Sequence, residues 1–357
     1  MRFMKTALAL AACGAATTVY AQSNVTLYGL IDTNIRYSTN DNAAGDNRLQ
    51  MANEGFLTGN RWGMRGTEDL GGGTQAIFTL ESGFGPDNGM LQQGGRLFGR
   101  QAFVGLKTNF GGQFTMGRQY TIAGEFIPQY EASGLAINPS VGYQSFNYDG
   151  LRHDNMIRYG QDFGGGLKGA VGYTFGEVAG HMGRGSAVGA NLSYTNGPLM
   201  LGGVFQTTRD VSGAAYFNAL APGQTSRQTV WSVGGTYNFG VAKVFAGYIN
   251  NELKQADYRN HDFFVGLHYD LTAALKFIGS LHYDRLRHAG NNGNRVTSMA
   301  MLDYNFSKRT DVYFAVDYTK LSGEWVTLNG NPRFNSTANT NGFNNKLGVT
   351  AGLRHRF

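Results

Sequence analysis

Arginine and acidic side chains are where this chain offers a chemistry. Arg61 and Arg65 flank Trp62 and Met64 in an alternating segment. Arg152 and Arg158 share a polar face with Asp154 and Met156, while Ile157 and Tyr159 occupy the apolar face. Arg118 closes the preceding segment, and Arg100 is less well defined, because Ala102, Val104 and Leu106 lie on its side. Between Arg118 and Arg152 runs a polar stretch, residues 119–152, that holds Glu125, Glu131 and Asp149. Such a set works electrostatically: guanidinium groups stay charged at any ordinary pH, so they attract, orient or repel ions without making or breaking bonds.

Bond-making chemistry finds less support. The seven histidines, His153, His181, His261, His268, His282, His288 and His355, include no H-E-x-x-H or comparable metal-binding spacing. His282 and His288 share a face with Asp284, which suits polar wall-lining residues better than a nucleophile, base and orienting group. Gly83-Phe84-Gly85 and Gly183-Arg184-Gly185 lack the Lys-Ser/Thr ending and following helix of a phosphate loop. No catalytic residue, metal or cofactor is expected. The arginines are spread along alternating segments and form no basic run, which argues against a nucleic-acid partner.

The elements that position these charges begin after an export signal. Arg2 and Lys5 precede an apolar stretch, Ala7 to Ala16, and a small-residue exit at Val19-Tyr20-Ala21. A cut after Ala21 leaves residues 22–357 and removes two of the 30 basic side chains; 28 bases against 24 acids give a formal charge of +4. Cys13, the only cysteine, falls in the removed segment. Leu10-Ala11-Ala12-Cys13 also reads like a lipoprotein site, but the apolar run before it is very short.

Glycine at 53 positions disfavours long helices, and no later run is apolar enough to cross a bilayer as one. In lipid, closed strands are then the remaining solution, because an unpaired backbone amide finds no partner there. Period-two alternation supports them. Leu347, Val349, Ala351, Leu353 and Phe357 oppose Gly348, Thr350, Gly352, Arg354 and Arg356. Val312, Phe314, Val316 and Tyr318 oppose Asp311, Tyr313, Ala315 and Asp317, and Val25, Leu27, Ile31 and Ile35 oppose Thr26, Asp32, Asn34 and Arg36. A soluble sandwich also alternates, but the length and the aromatic strand ends Tyr237-Asn238-Phe239 and Tyr304-Asn305-Phe306 favour a lipid-facing barrel.

Short breaks fall at Leu70 to Gly73, Asn109 to Gly112, Phe163 to Gly166, Asn196-Gly197, Gly240 and Ser307 to Thr310. Longer polar stretches fall near 38–54, 85–96, 119–152, 177–186, 210–227, 254–260, 288–294 and 322–343. Eight long loops imply an all-β, sixteen-stranded antiparallel transmembrane barrel built as one domain.

Four segments also carry a family resemblance. They are Val25-Thr26-Leu27-Tyr28-Gly29, Arg61-Trp62-Gly63-Met64-Arg65-Gly66-Thr67-Glu68-Asp69-Leu70-Gly71-Gly72-Gly73, Tyr304-Asn305-Phe306-Ser307-Lys308-Arg309-Thr310 and Gly352-Leu353-Arg354-His355-Arg356-Phe357. In this order they resemble general porins of β-proteobacteria, from residue 25 to residue 357. The resemblance implies a homotrimer in the outer membrane, surrounded by lipid and lipopolysaccharide. It also implies insertion by machinery that reads the last strand and Phe357, and passive diffusion of ions and small hydrophilic solutes. A third loop folded into the barrel would set Glu125, Glu131 and Asp149 against wall arginines matching Arg61, Arg100 and Arg152, with Arg65, Arg118 and Arg158 as neighbours. Opposed rows of charge order water and favour polar solutes. The arginine cluster and the positive balance suggest a modest anion preference. A saturable solute site lined by Tyr120, Tyr130, Tyr143, Phe146 and Tyr148, a plugged or adhesive barrel and an outer-membrane enzyme are the other readings.

Overall fold

The computed structural model describes residues 24–133, 150–211, 224–330 and 340–357. The expected export signal and Asp149, with Tyr143, Phe146 and Tyr148, lie outside them. The first strands are β1 (Asn24–Ser38), β2 (Arg48–Met51), β3 (Arg61–Gly71), β4 (Thr74–Gly83), β5 (Gln101–Lys107) and β6 (Gly112–Tyr120). Next come β7 (Arg152–Gly164), β8 (Leu167–Thr174), β9 (Ala187–Asn196), β10 (Leu199–Val211), β11 (Ser226–Asn238) and β12 (Ala242–Leu253). The last are β13 (Tyr258–Asp270), β14 (Leu275–His288), β15 (Asn291–Asn305), β16 (Thr310–Gly323) and β17 (Asn345–Arg356). The short β2 belongs to the first loop and pairs only with the end of β1, from Ile35↔Met51 to Ser38↔Arg48. The other sixteen pair antiparallel with their neighbours and close into a barrel through β1 and β17.

Closure satisfies what an open sheet cannot. Leu30↔Arg356 through Ser38↔Gly348 zip the first strand to the last, and Phe357 exchanges two backbone bonds with Gly29, at 3.0 and 3.1 Å. No backbone edge is then left facing lipid. Alternation sets the two faces as expected: Val312, Phe314, Val316 and Tyr318 turn outward, and Asp311, Tyr313, Ala315 and Asp317 turn into the lumen. Among the described residues no helix is long and apolar enough to cross a membrane.

One rim carries seven short turns, one more than the sequence signals. The additional one, 271–274, has no glycine; the Thr272 hydroxyl oxygen accepts from the Ala274 and Leu275 amides instead. The other rim carries the eight loops, two of which are shorter than their polar composition suggests. Residues 288–294 shrink to a two-residue turn in which Ala289 and Gly290 both have positive φ, 50° and 81°, the geometry that matches strand twist. Residues 254–260 shrink to a single 3-10 turn, Lys254–Ala256, and Asp257.

Candidate functional site

Three loop segments pack on the inner wall of the barrel, one of them the short helix Glu324–Asn329 of the last loop, whose Trp325 is buried against Tyr258, Leu286 and Leu321. In the third loop, Thr121 caps a short helix α1 (Ile122–Phe126), its hydroxyl oxygen accepting from the Gly124 amide. A 3-10 turn, Ile127–Gln129, continues it. Ile122, Phe126, Ile127 and Tyr130 are buried against Met156, Ala170, Val204, Val230, Ile249 and Phe264, all on lumen-facing positions of the wall. Glycines make room for them. A Cβ at Gly202 would fall 2.5 Å from the Phe126 ring, and one at Gly234 would fall 2.3 Å from the Tyr130 ring. The Tyr130 hydroxyl donates to Ser232 Oγ at 2.8 Å, and the Ala132 carbonyl accepts from His268 Nε2 at 2.7 Å.

The first loop covers another part of the wall. Phe56 and Leu57 pack on Ile278, Met299, Met301, Tyr313 and Ala315, and the Phe56 and Tyr313 rings stack at 5.7 Å. Asp32 accepts from the Leu57 and Thr58 amides, both at 2.9 Å, which fixes the segment's path. Burial of Glu54 in this segment pushes its carboxyl above the ordinary range, against the opposing pull of Arg100.

On the remaining wall three arginines meet. Arg100 Nε pairs with Glu81 Oε1 at 2.7 Å, and its Nη2 donates to the Tyr120 hydroxyl oxygen at 2.9 Å. Arg152 Nη2 donates to the same oxygen at 2.6 Å, and its guanidinium lies 4.2 Å from the Tyr120 ring centre. Arg61 Nε is 3.9 Å from Glu81 Oε2, which also accepts from the Tyr28 hydroxyl at 2.9 Å. Arg65 lies over the Tyr28 ring at 5.2 Å. Arg100 precedes β5, so strand parity does not bind it and its side chain turns to Glu81. Arg158 pairs with Glu125 across the gap between wall and loop, at 2.8 Å. Beside that pair a cavity of about 410 Å³ is lined by Gln113, Thr115, Phe126, Lys168 and Asn191.

Three residues depart from the sequence reading. Arg118 and Asp154 were expected on the inner face, but Arg118 shares the outer face of β6 with Phe114 and Met116, and β7 carries an extra residue opposite Arg118 that turns Asp154. Gln119 pairs with His153 and Gly117 with Met156, with Asn155 at φ 54° between them. His153 therefore stays inside, hydrogen-bonded to Thr174, while Arg118 and Asp154 turn outward and pair at 2.8 Å, with Arg96 also on Asp154 at 2.8 Å. Glu131 does not face the arginines. It is buried on the far wall, 3.1 Å from His282 Nε2, whose Nδ1 lies 3.0 Å from Asp262. Asp284 and Arg295 pair alongside at 2.6 Å. Tyr120, Glu81 and Tyr28 were not singled out as the residues that gather the arginines. Glu81, the single charged residue of β4, was the available signal.

An apolar exterior, a charged lumen and loops laid inside it define a transmembrane β-barrel channel. The chain belongs to the Gram-negative porin family, which it matches over residues 6–324. It is 31% identical to an outer membrane porin of Bordetella pertussis, over 99% of this chain and 100% of that one. Outer membrane porin protein 32 of Delftia acidovorans is also 31% identical, over 99% of each chain. Among solved structures, an anion-selective porin from Comamonas acidovorans matches with a TM-score of 0.75 at 27% identity, covering 94% of this chain and 100% of that one. OmpT of Vibrio cholerae shares the fold, with a TM-score of 0.68 at 16% identity over 94% and 98% of the two chains. The protein is thus an outer-membrane porin, a water-filled channel for passive diffusion of ions and small hydrophilic solutes. Its relatives are channels rather than enzymes.

Proposed function

We propose that this porin favours small anions, and that Arg61, Arg100 and Arg152 set the preference. The carrying observation is their convergence on one carboxylate, Glu81, and one phenol, Tyr120. Among the described residues these three permanent cations gather around Glu81, with Glu54 near enough to act on Arg100, which favours a positive surface in a confined, low-dielectric passage, where fixed charge raises the local concentration of its counter-ion. The loop helix stands opposite with Glu125 engaged by Arg158, so that acid adds little opposing charge at the arginines. The relative from Comamonas acidovorans, itself anion-selective, supports the same sign.

The working unit in this reading is a homotrimer in lipid and lipopolysaccharide, exported with a signal cut after Ala21. Its last strand, with Phe357, is the part recognised for insertion. Single-channel recording of the refolded protein in a planar bilayer under a salt gradient is the test. A reversal potential of anion sign with closure in three equal steps is the expected result. A cation sign overturns the arginine reading, and single-step closure overturns the trimer.

A further inference from the structure

Ion selection does not account for the cavity beside Glu125 and Arg158. It lies between α1 and the inner face of β6 to β9, on the short-turn side of the third loop, whereas Arg61, Arg100 and Arg152 stand at or beside the loop-rim ends of their strands. Strand parity aims its wall residues inward. On β6 Phe114 and Met116 face outward, so Gln113 and Thr115 face the lumen; on β9 Leu192 and Tyr194 face outward, so Asn191 and Ser193 face the lumen.

Charge in the cavity cancels: Arg158 is paired with Glu125 at 2.8 Å, and Lys168 with Asp162 at 3.3 Å. What is left over is neutral. Among the described residues the side chains of Gln113, Asn191 and Ser193 form no hydrogen bond within the protein. A carboxamide both donates and accepts, and so does an alcohol. An anion in their place would leave the carboxamide oxygens unpaired, and a cation would leave the amide hydrogens unpaired; a hydroxyl satisfies both. The volume, about 410 Å³, falls within the range of roughly 300–1,000 Å³ typical of small-molecule sites. Gly160 keeps the β7 side open, since a Cβ there would meet nothing nearer than Ala170 Cβ and the Gly169 carbonyl oxygen, both at 3.9 Å.

We propose that this cavity is a weak, saturable site for a neutral polyhydroxylated solute of monosaccharide size. Gln113, Asn191 and Ser193 bind its hydroxyls, and Phe126 and Ala170 offer apolar surface to its C–H face. The site is separate from Tyr120, whose hydroxyl oxygen is occupied by Arg100 and Arg152.

The test is titration of glucose into the purified refolded porin, in a detergent without a sugar headgroup, read by saturation-transfer NMR. The expected result is a signal that saturates in the millimolar range. Q113L/N191L should raise the half-saturating concentration on the order of tenfold, as the loss of two hydrogen bonds requires. G160L, whose side chain fills the cavity, should abolish the signal. Heat resistance equal to the parent's would show that both variant barrels are intact. On the parent alone, equimolar glycine or acetate should leave the glucose signal unchanged. A signal that rises without saturation, equal affinity in Q113L/N191L, or displacement of glucose by either charged solute overturns the proposal. The reversal potential does not enter this measurement, so a cation-selective pore would overturn the anion reading and leave this one standing.

Discussion

The wall formed by β3 to β7 and the wall formed by β13 to β17 both line the lumen with charge, but they balance it differently. On the first, Arg61, Arg65, Arg100, Arg152 and Arg158 meet Glu81 and Glu125. On the second, acids match or exceed cations: Arg295 sits on Asp284, Arg354 and Arg356 share Asp311, and His282 lies between Asp262 and Glu131. Arg36, on the adjoining β1, is held by both oxygens of Asp317, at 2.6 and 2.9 Å. The first loop lies on the second wall, and the end of the third loop reaches it at Glu131 and Ala132. Charge that is buried under a loop has to be compensated, because an isolated ion there would cost several kcal/mol. Arg61 and Arg158, partly exposed on either side of the buried Arg100–Glu81 pair, are placed to act on solutes. The same side-chain types thus hold structure on one side and shape permeation on the other.

That contrast can be broken most strongly at the arginines. Replacing Arg61, Arg100 and Arg152 together by Gln should abolish or reverse the anion preference, read as a change of sign in reversal potential, with a loss of thermal stability because the buried Glu81 loses both its cationic partners. If selectivity is unchanged, the first wall is not where solutes are sorted. The next largest effect is expected on the second wall. H282L leaves Glu131 and Asp262 buried without their shared partner, a loss on the order of 3–5 kcal/mol. Heat denaturation should shift down and current noise should rise as the third loop loosens, with the reversal potential kept.

A smaller change separates seat from anchor. G234L fills the space taken by the Tyr130 ring and should push the loop into the passage, reducing conductance. Y130F removes only the bond to Ser232, about 1 kcal/mol, and should leave conductance near that of the parent. Equal conductance in the two variants would show that the ring does not set the loop's position. The smallest effect is expected from pH. Because burial raises the Glu54 carboxyl, it takes up its proton at a higher pH than an exposed glutamate. Anion preference should therefore strengthen modestly as pH falls through that range, since neutral Glu54 no longer offsets Arg100. E54Q should flatten this dependence in reversal-potential measurements.

Much of the fold was legible because lipid outside and water inside impose opposite chemistry on alternate residues. The alternation at Val312 to Asp317 and at Leu347 to Phe357 translates directly into faces, and glycine-rich turns mark most strand ends. Polar composition misled at Ala289-Gly290, where long strands meet in a tight turn, because lumen strands near the rim are as polar as loops. The site was legible in part. Arg61, Arg100 and Arg152 gather as a group; Arg118 follows the outer face of Phe114 and Met116 by plain alternation, and a single inserted residue at Asn155 moves Asp154 to the other face. Period-two reasoning carries no warning of such an insertion. Gly202 and Gly234 read as generic strand glycines; their role as seats depends on a loop more than 70 positions earlier in the chain.

The bond between Arg36 and Asp317 joins residues 281 positions apart, and the pairing of β1 with β17 spans almost the whole chain. Neighbouring hairpins can form as soon as two strands exist, but this seam cannot. Until the final strand arrives, the growing sheet has two free edges, each able to recruit a strand from another molecule. The last contact to form is therefore the one that ends the protein's capacity to aggregate. Substitutions in β17 should slow maturation far more than equally destabilising ones in β8 or β9, whose partners lie next to them in sequence.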